Sequence, residues 1–230
     1  MDIETVDSDG AIRETAAAAA GDTRAQFFAK AGLLGGGIIG SAALIDPSIA
    51  GAATKKSDVA ILNYALTLEY LEAAFYTEAV KMGALSGELA LFARVVGAHE
   101  RAHVKGLKAV LGSKAVARPR FNFRGTTESA GDFAVTAQIL EDTGVSAYAG
   151  QAPKVKANAI LKAALAIHTV EARHASWIRD LNGDAPAPKA FDEPLRKQQV
   201  LAAVSDTRFI VPRRRHRRMS AGNTSPTFAG

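Results

Sequence analysis

The chain has 230 residues, 48% of them hydrophobic and 22% charged, which is enough for one packed domain with tails and too apolar for a chain disordered throughout. It has no cysteine, so disulfides, thiolate metal sites, cysteine nucleophiles and lipid carried on cysteine are all excluded. The net charge of +5 belongs to one tail: Arg213-Arg214-Arg215-His216-Arg217-Arg218 supplies five arginines, and the rest of the chain sets 23 basic residues against 23 acidic ones, so no nucleic-acid-binding face is expected.

Residues 1–54 form a first tail. Its opening 22 residues hold six acids and one arginine and have the composition of an unstructured segment. Residues 31–45 are apolar and glycine-rich. That run is shorter than the ~20 residues of a membrane span but has the length of an export-signal core. Arg24 and Lys30 precede it, and the small residues Ser48, Ala50 and Ala52 follow. The stretch Thr23-Arg24-Ala25-Gln26-Phe27-Phe28 resembles a twin-arginine export signal with alanine in place of the second arginine. Export to the periplasm or beyond is the expectation, with a cytoplasmic location as the alternative.

Four long helices are predicted next. The first covers about Asp58 to Met82 after Ser57 as a cap, with Leu62, Leu66, Glu69, Ala73, Tyr76 and Val80 along one face. The second covers about Gly87 to Leu111, with Leu89, Ala93, Val96, Glu100, His103, Leu107 and Val110 facing inward. The third, from Asp132 to Tyr148, turns Ala134, Ala137, Glu141, Val145 and Tyr148 to one side. The fourth begins at Pro153, a residue suited to a first turn. It turns Ile160, Ala164, Ile167, Glu171, His174 and Ile178 inward, and Asn182-Gly183 ends it.

The links set the topology. A few residues around Gly83 to Ser86 join helices one and two, and Gly150-Gln151-Ala152 joins three and four, so each pair is an antiparallel hairpin. The long segment from Gly112 to Gly131 must cross between the hairpins. The expected organisation is an all-α four-helix bundle over residues 55–183 and a C-terminal extension over 184–211. In the extension a short helix runs from about Pro194 to Ser205, and Phe209 and Ile210 pack back. A basic tail occupies 212–230.

Acids interrupt every inner stripe. An ionised carboxylate buried without a partner costs several kcal/mol, and the four stripes offer no lysine or arginine in compensation. They offer histidine instead. Glu100-Arg-Ala-His103 and Glu171-Ala-Arg-His174 both read Glu-x-x-His, which puts both side chains on one helix face. Glu69 and Glu141 stand alone on the other two helices. Four carboxylates carry a charge that two divalent cations would neutralise, and oxygen with imidazole donors suits iron or manganese. The pattern also repeats. Tyr76 follows Glu69 by seven residues, as Tyr148 follows Glu141, so each hairpin supplies one lone acid, one Glu-x-x-His and one tyrosine behind the ligands.

Over residues 58–181, the phrases Leu68-Glu-Tyr-Leu-Glu-Ala-Ala-Phe-Tyr76, Leu140-Glu-Asp-Thr-Gly-Val-Ser-Ala-Tyr148 and Ile167-His-Thr-Val-Glu-Ala-Arg-His174 resemble a bacterial ferritin-like family of di-iron carboxylate type. That family includes desiccation-related proteins, often with twin-arginine signals. The resemblance implies two metal ions, with Glu100 and Glu171 bridging them. Glu69 and Glu141 would be terminal carboxylates, and His103 and His174 terminal nitrogen ligands. It also implies metal ions and small oxidants as partners, and either an oxidoreductase or a non-enzymatic metal-binding or stress-protection protein. A manganese catalase is a narrower rival on the same ligands. A homo-oligomer, and contact of the basic tail with an acidic surface, remain open.

Several neighbours compete with this set. Glu72 rivals Glu69, and the seven-residue step to a tyrosine favours Glu69. His99 is expected at the edge of the bundle. His168, one turn before Glu171, is expected to support a ligand or make an inter-helix polar contact. Trp177 is expected in the core.

Overall fold

The structure, a computed structural model, describes residues 55–211. The candidate export segment and the arginine run lie outside the described residues. Among the described residues five α-helices form: α1 (Lys56–Met82), α2 (Gly87–Leu111), α3 (Ala130–Gln151), α4 (Asn158–Leu181) and α5 (Lys197–Thr207). Two short strands, β1 (Arg120–Phe121) and β2 (Ile210–Val211), complete the framework. The all-α bundle of two hairpins and one crossover is as expected. Helix α1 packs on α2 and α3 on α4, with α1 also against α3 and α2 against α4. Among the described residues, no helix is long and apolar enough to cross a membrane.

Local signals explain most boundaries. Gly83 takes the left-handed conformation, φ 72°, that closes α1. Ser129 caps α3: its hydroxyl accepts from Asp132 N at 3.1 Å and donates to Asp132 Oδ2 at 2.7 Å. Gly183, at φ 78°, follows the last turn of α4. Ser57 lies inside α1 rather than capping it, since Lys55 holds the N-cap position.

The third and fourth helices differ most from expectation. Helix α3 runs on to Gln151, Pro153 falls in a 3-10 turn over Ala152–Lys154, and α4 starts only at Asn158. The cause lies on another helix. The buried carboxylate of Asp58, in the first turn of α1, accepts from Lys156 N and Ala157 N at 3.0 Å each. That pair of bonds holds the link extended and delays the helix. The extension helix likewise starts at Lys197 rather than Pro194.

Two apolar clusters fill the bundle. At one end, Phe75, Phe92, Phe123 and Phe133 pack with Val200, Val204 and Phe209 from the extension. At the other, Leu62, Leu66, Leu107, Leu111, Ile160 and Ile167 meet. Helix α2 ends in the second cluster and α3 begins in the first, so the two helices run parallel and the crossover must climb the length of the bundle. It is fastened partway. Strand β1 pairs antiparallel with β2, Arg120 opposite Val211 and Phe121 opposite Ile210, and Asn122 N donates to Phe209 O at 2.9 Å. Val80, expected inside, is 45% exposed, and Ala79 beside it is the buried residue at this level of α1.

Candidate metal centre

Between the two clusters, at mid-height, the four helices turn Glu69, Glu100, Glu141 and Glu171 into one layer, and all four are buried. The i, i+3 spacing brings His103 beside Glu100 and His174 beside Glu171. The six side chains singled out in the sequence therefore meet at one place.

Their donor atoms converge. His103 Nδ1 lies 3.2 Å from Glu69 Oε2, 3.2 Å from Glu100 Oε2 and 3.1 Å from Glu171 Oε1. His174 Nδ1 lies 3.2 Å from Glu100 Oε1, 3.3 Å from Glu141 Oε2 and 3.8 Å from Glu171 Oε2. A single N–H cannot point at three oxygens. Indeed Glu100 Oε1, Glu141 Oε2, both oxygens of Glu171 and His174 Nδ1 are buried without a hydrogen bond, an expensive arrangement unless an ion completes it. Donors bonded at ~2.1 Å to a small divalent cation, at right angles, stand about 3 Å apart, which is the spacing seen. Two such groups form, each with its atoms within 4.8 Å of one another: Glu69, Glu100, His103 and Glu171, and Glu100, Glu141, Glu171 and His174. Glu100 and Glu171 belong to both. The residues present fit a pair of metal ions.

The tyrosines reach across the bundle. Tyr148 on α3 donates to Glu69 Oε1 on α1 at 2.5 Å, and Tyr76 on α1 donates to Glu141 Oε1 on α3. Each hydroxyl engages one oxygen of a lone acid and leaves the other, Oε2, facing a histidine. The exchange between hairpins obeys the two-fold echo in the sequence.

Without metal, the charges sort themselves. Burial opposes ionisation of Glu100, but the charge and hydrogen bond of His103, with His174 close beside it, hold it well below the usual carboxylate range. At Glu171 burial and the charge of Glu100 push upward, and the close approach of both histidines outweighs them. Burial would discharge His103 and His174, yet the surrounding carboxylates raise both well above the usual imidazole value. Burial lifts Glu69 well above its ordinary value and brings Glu141 to about 8, despite the opposing histidines. In the metal-free layer the surroundings thus favour the charged forms of the two histidines, Glu100 and Glu171, and the neutral forms of Glu69 and Glu141.

Three neighbours fall differently. His99 is at the exposed edge, but its ring stacks on His174 and its Nδ1 lies 2.8 Å from His174 Nε2. Burial, then the charges of His174 and His103, lower its pKa, so neutral His99 can accept from His174 and fix the ring with Nδ1 inward. Nothing in the Glu-x-x-His spacing signals this contact. His168 is half-buried, with Nδ1 enclosed and unpaired, and joins neither donor group. Trp177 is part-buried; it meets Phe92 edge-on and donates to Glu88 Oε1 at 3.0 Å.

Four carboxylates and two imidazoles, contributed by four helices of one bundle, define a carboxylate–histidine helical-bundle protein with a cluster compatible with metal binding. The chain belongs to the ferritin-like family: the family described as Ferritin-like domain matches residues 57–184, more than half of the chain. No curated protein matches it.

Proposed function

We propose that this chain holds two divalent metal ions, iron foremost and manganese as the alternative, and acts as an oxidoreductase toward dioxygen, peroxide or ferrous iron. The observation that carries this reading is the sharing of Glu100 and Glu171 between two groups of converging, otherwise unsatisfied donors. Bound iron supplies one-electron chemistry at each of two adjacent ions. The protein's part is to hold and orient. Glu69 and Glu141 each offer one oxygen inward while Tyr148 and Tyr76 fix the other, and His99 fixes the ring of His174. A small apolar cavity between α1 and α3, lined by Leu62, Ala65, Leu68, Tyr148 and Gln151, reaches the tyrosine that holds Glu69. It supports entry of a small oxidant.

The burial of Glu100, Glu141 and Glu171, all without solvent exposure, favours a second reading, in which the ions are structural and the protein serves storage or stress protection. Stopped-flow mixing of the ferrous-loaded full chain with oxygen or peroxide decides between them. Oxidation faster than that of free ferrous ion in buffer, and lost in Glu100→Ala, is the expected result. Peroxide turnover with oxygen release by the manganous form alone moves the reading to a catalase. Retained metal with no accelerated oxidation leaves the structural reading. Export remains a proposal resting on residues 23–52, and fractionation of the source cells tests it.

A further inference from the structure

The two hairpins repeat with an offset of 72 residues between α1 and α3 (Glu69 with Glu141, Tyr76 with Tyr148) and 71 between α2 and α4 (Glu100 with Glu171, His103 with His174). Two of the breaks in the repeat bear on the centre. Glu72 has Gly144 as its counterpart, and His99 has Val170.

The first break is chemical. Glu72 is 3% exposed, and among the described residues it has no hydrogen bond or ion pair. With so little exposure and no donor bonded to it, the Glu72 carboxyl gains little from the protein when ionised. Gly144 makes its room. A Cβ on Gly144 would lie 3.3 Å from Glu72 Oε1 and 3.3 Å from Glu171 Oε2, so both acids reach over the same bare backbone. Glu171 Oε2 is the oxygen that faces His174. Of the neighbouring acids, Glu171 and then Glu141 press most on Glu72; both belong to the His174 group.

We propose that Glu72 is a seventh ligand, closing on the metal held by Glu100, Glu141, Glu171 and His174, so that the two metal positions are unequal. Its oxygens stand outside both four-atom groups, and rotation of its side chain over Gly144 brings it in. Five side chains then hold the ion on the His174 side, and four hold the ion on the His103 side. The surroundings are uneven in the same sense. His174 is 4% exposed and braced by His99; His103 is 11% exposed, and the counterpart of its brace is Val170, which offers no hydrogen bond. The apolar cavity touches Tyr148, whose hydroxyl holds Glu69, a ligand of the His103 side. The His174 position is the tight, permanent one. The His103 position is the exchangeable one, where an oxidant or incoming ion is received.

This inference rests on the two-metal reading, and cobaltous titration of the metal-free full chain separates the two. Calorimetry with visible absorbance should show two steps at least about tenfold apart in affinity. His174→Ala should remove the tighter step and His103→Ala the weaker. Glu72→Gln should weaken the tighter step by about tenfold or more, the scale of losing a metal-orienting group, and leave the weaker unmoved. Glu72→Asp keeps the charge but shortens the reach, and should weaken the same step; it also serves if the glutamine variant does not fold. Wild-type affinities in Glu72→Asp, two equal steps in the wild type, or loss of the weaker step in Glu72→Gln would overturn the proposal while leaving two metals in place. Absence of any cobalt binding would overturn both readings together.

Discussion

At the aromatic end of the bundle Phe75 stacks on Phe133 with centroids 5.2 Å apart and meets Phe123 edge-on at 5.4 Å. Nearly two turns back along α1, Glu69 sits among the buried acids Glu72, Glu100, Glu141 and Glu171. The same helices thus carry a layer that is satisfied by its own contacts and a layer that is not. The end layer can pack as soon as the chain collapses, because apolar contact needs no third party. The middle layer trades folding stability for the ability to hold charge, and a cation would reconcile it with burial.

The largest expected effect breaks that contrast. Saturating the metal-free protein with ferrous or manganous ion at about a thousand times the dissociation constant should add roughly 4 kcal/mol for each site filled. The melting temperature should climb with ion concentration. An unchanged melt by calorimetry would mean that the middle layer is satisfied without metal. Next comes the other layer: Phe75→Ala should cost about 3–5 kcal/mol in denaturant melts with metal content per folded chain unchanged.

A smaller effect should follow from pH alone. In the metal-free protein Glu141 titrates near 8 and Glu69 is also raised. A carboxyl raised in the folded state favours folding fully only below its unfolded value of about 4.5, and that advantage is lost as pH climbs through the folded value. The raised histidines act in the same direction, from about pH 6.5 upward. The depressed Glu100 and Glu171 act oppositely and lose their contribution only under acid conditions, below about pH 4.5. Melting temperature without metal should therefore fall between pH 5 and 8, whereas metal affinity should rise over that window as the ligands release protons. Parallel trends in the two measurements would contradict this charge arrangement. The smallest effect sharpens the comparison: Tyr148→Phe, which removes only the bond to Glu69, should weaken metal binding by about tenfold and leave the apolar melt nearly as it was.

The sequence carried the bundle and the six donors because helical periodicity and the i, i+3 rule are local, and because the two hairpins repeat. The crossed tyrosine bonds were legible as a spacing but not as a pairing, since a seven-residue step says which face a hydroxyl occupies and nothing about the helix opposite. Two features escaped for the same reason. The start of α4 is decided by Asp58, 98 residues from Lys156, and no local signal at Pro153 competes with a bond made from another helix. Glu72 was weighed against Glu69 for a single place on α1, whereas both are buried; the glycine that admits the second acid sits on α3. The pairing of β1 with β2 joins segments 90 residues apart, each too short to announce itself as a strand.

That pairing has a consequence for the order in which the protein is made. Every proposed ligand is synthesised once α4 is complete at Leu181, yet the crossover has no strand to pair with until Val211 follows. At ~5–20 residues per second of synthesis the interval is about 2–6 s. During it the two hairpins are joined by an unfastened link, and the aromatic cluster still lacks Val200, Val204 and Phe209. On the two-metal reading, a nascent chain would open its middle layer to incoming ions more easily than the finished one, and the last residues of the extension would act as a clasp on the bundle.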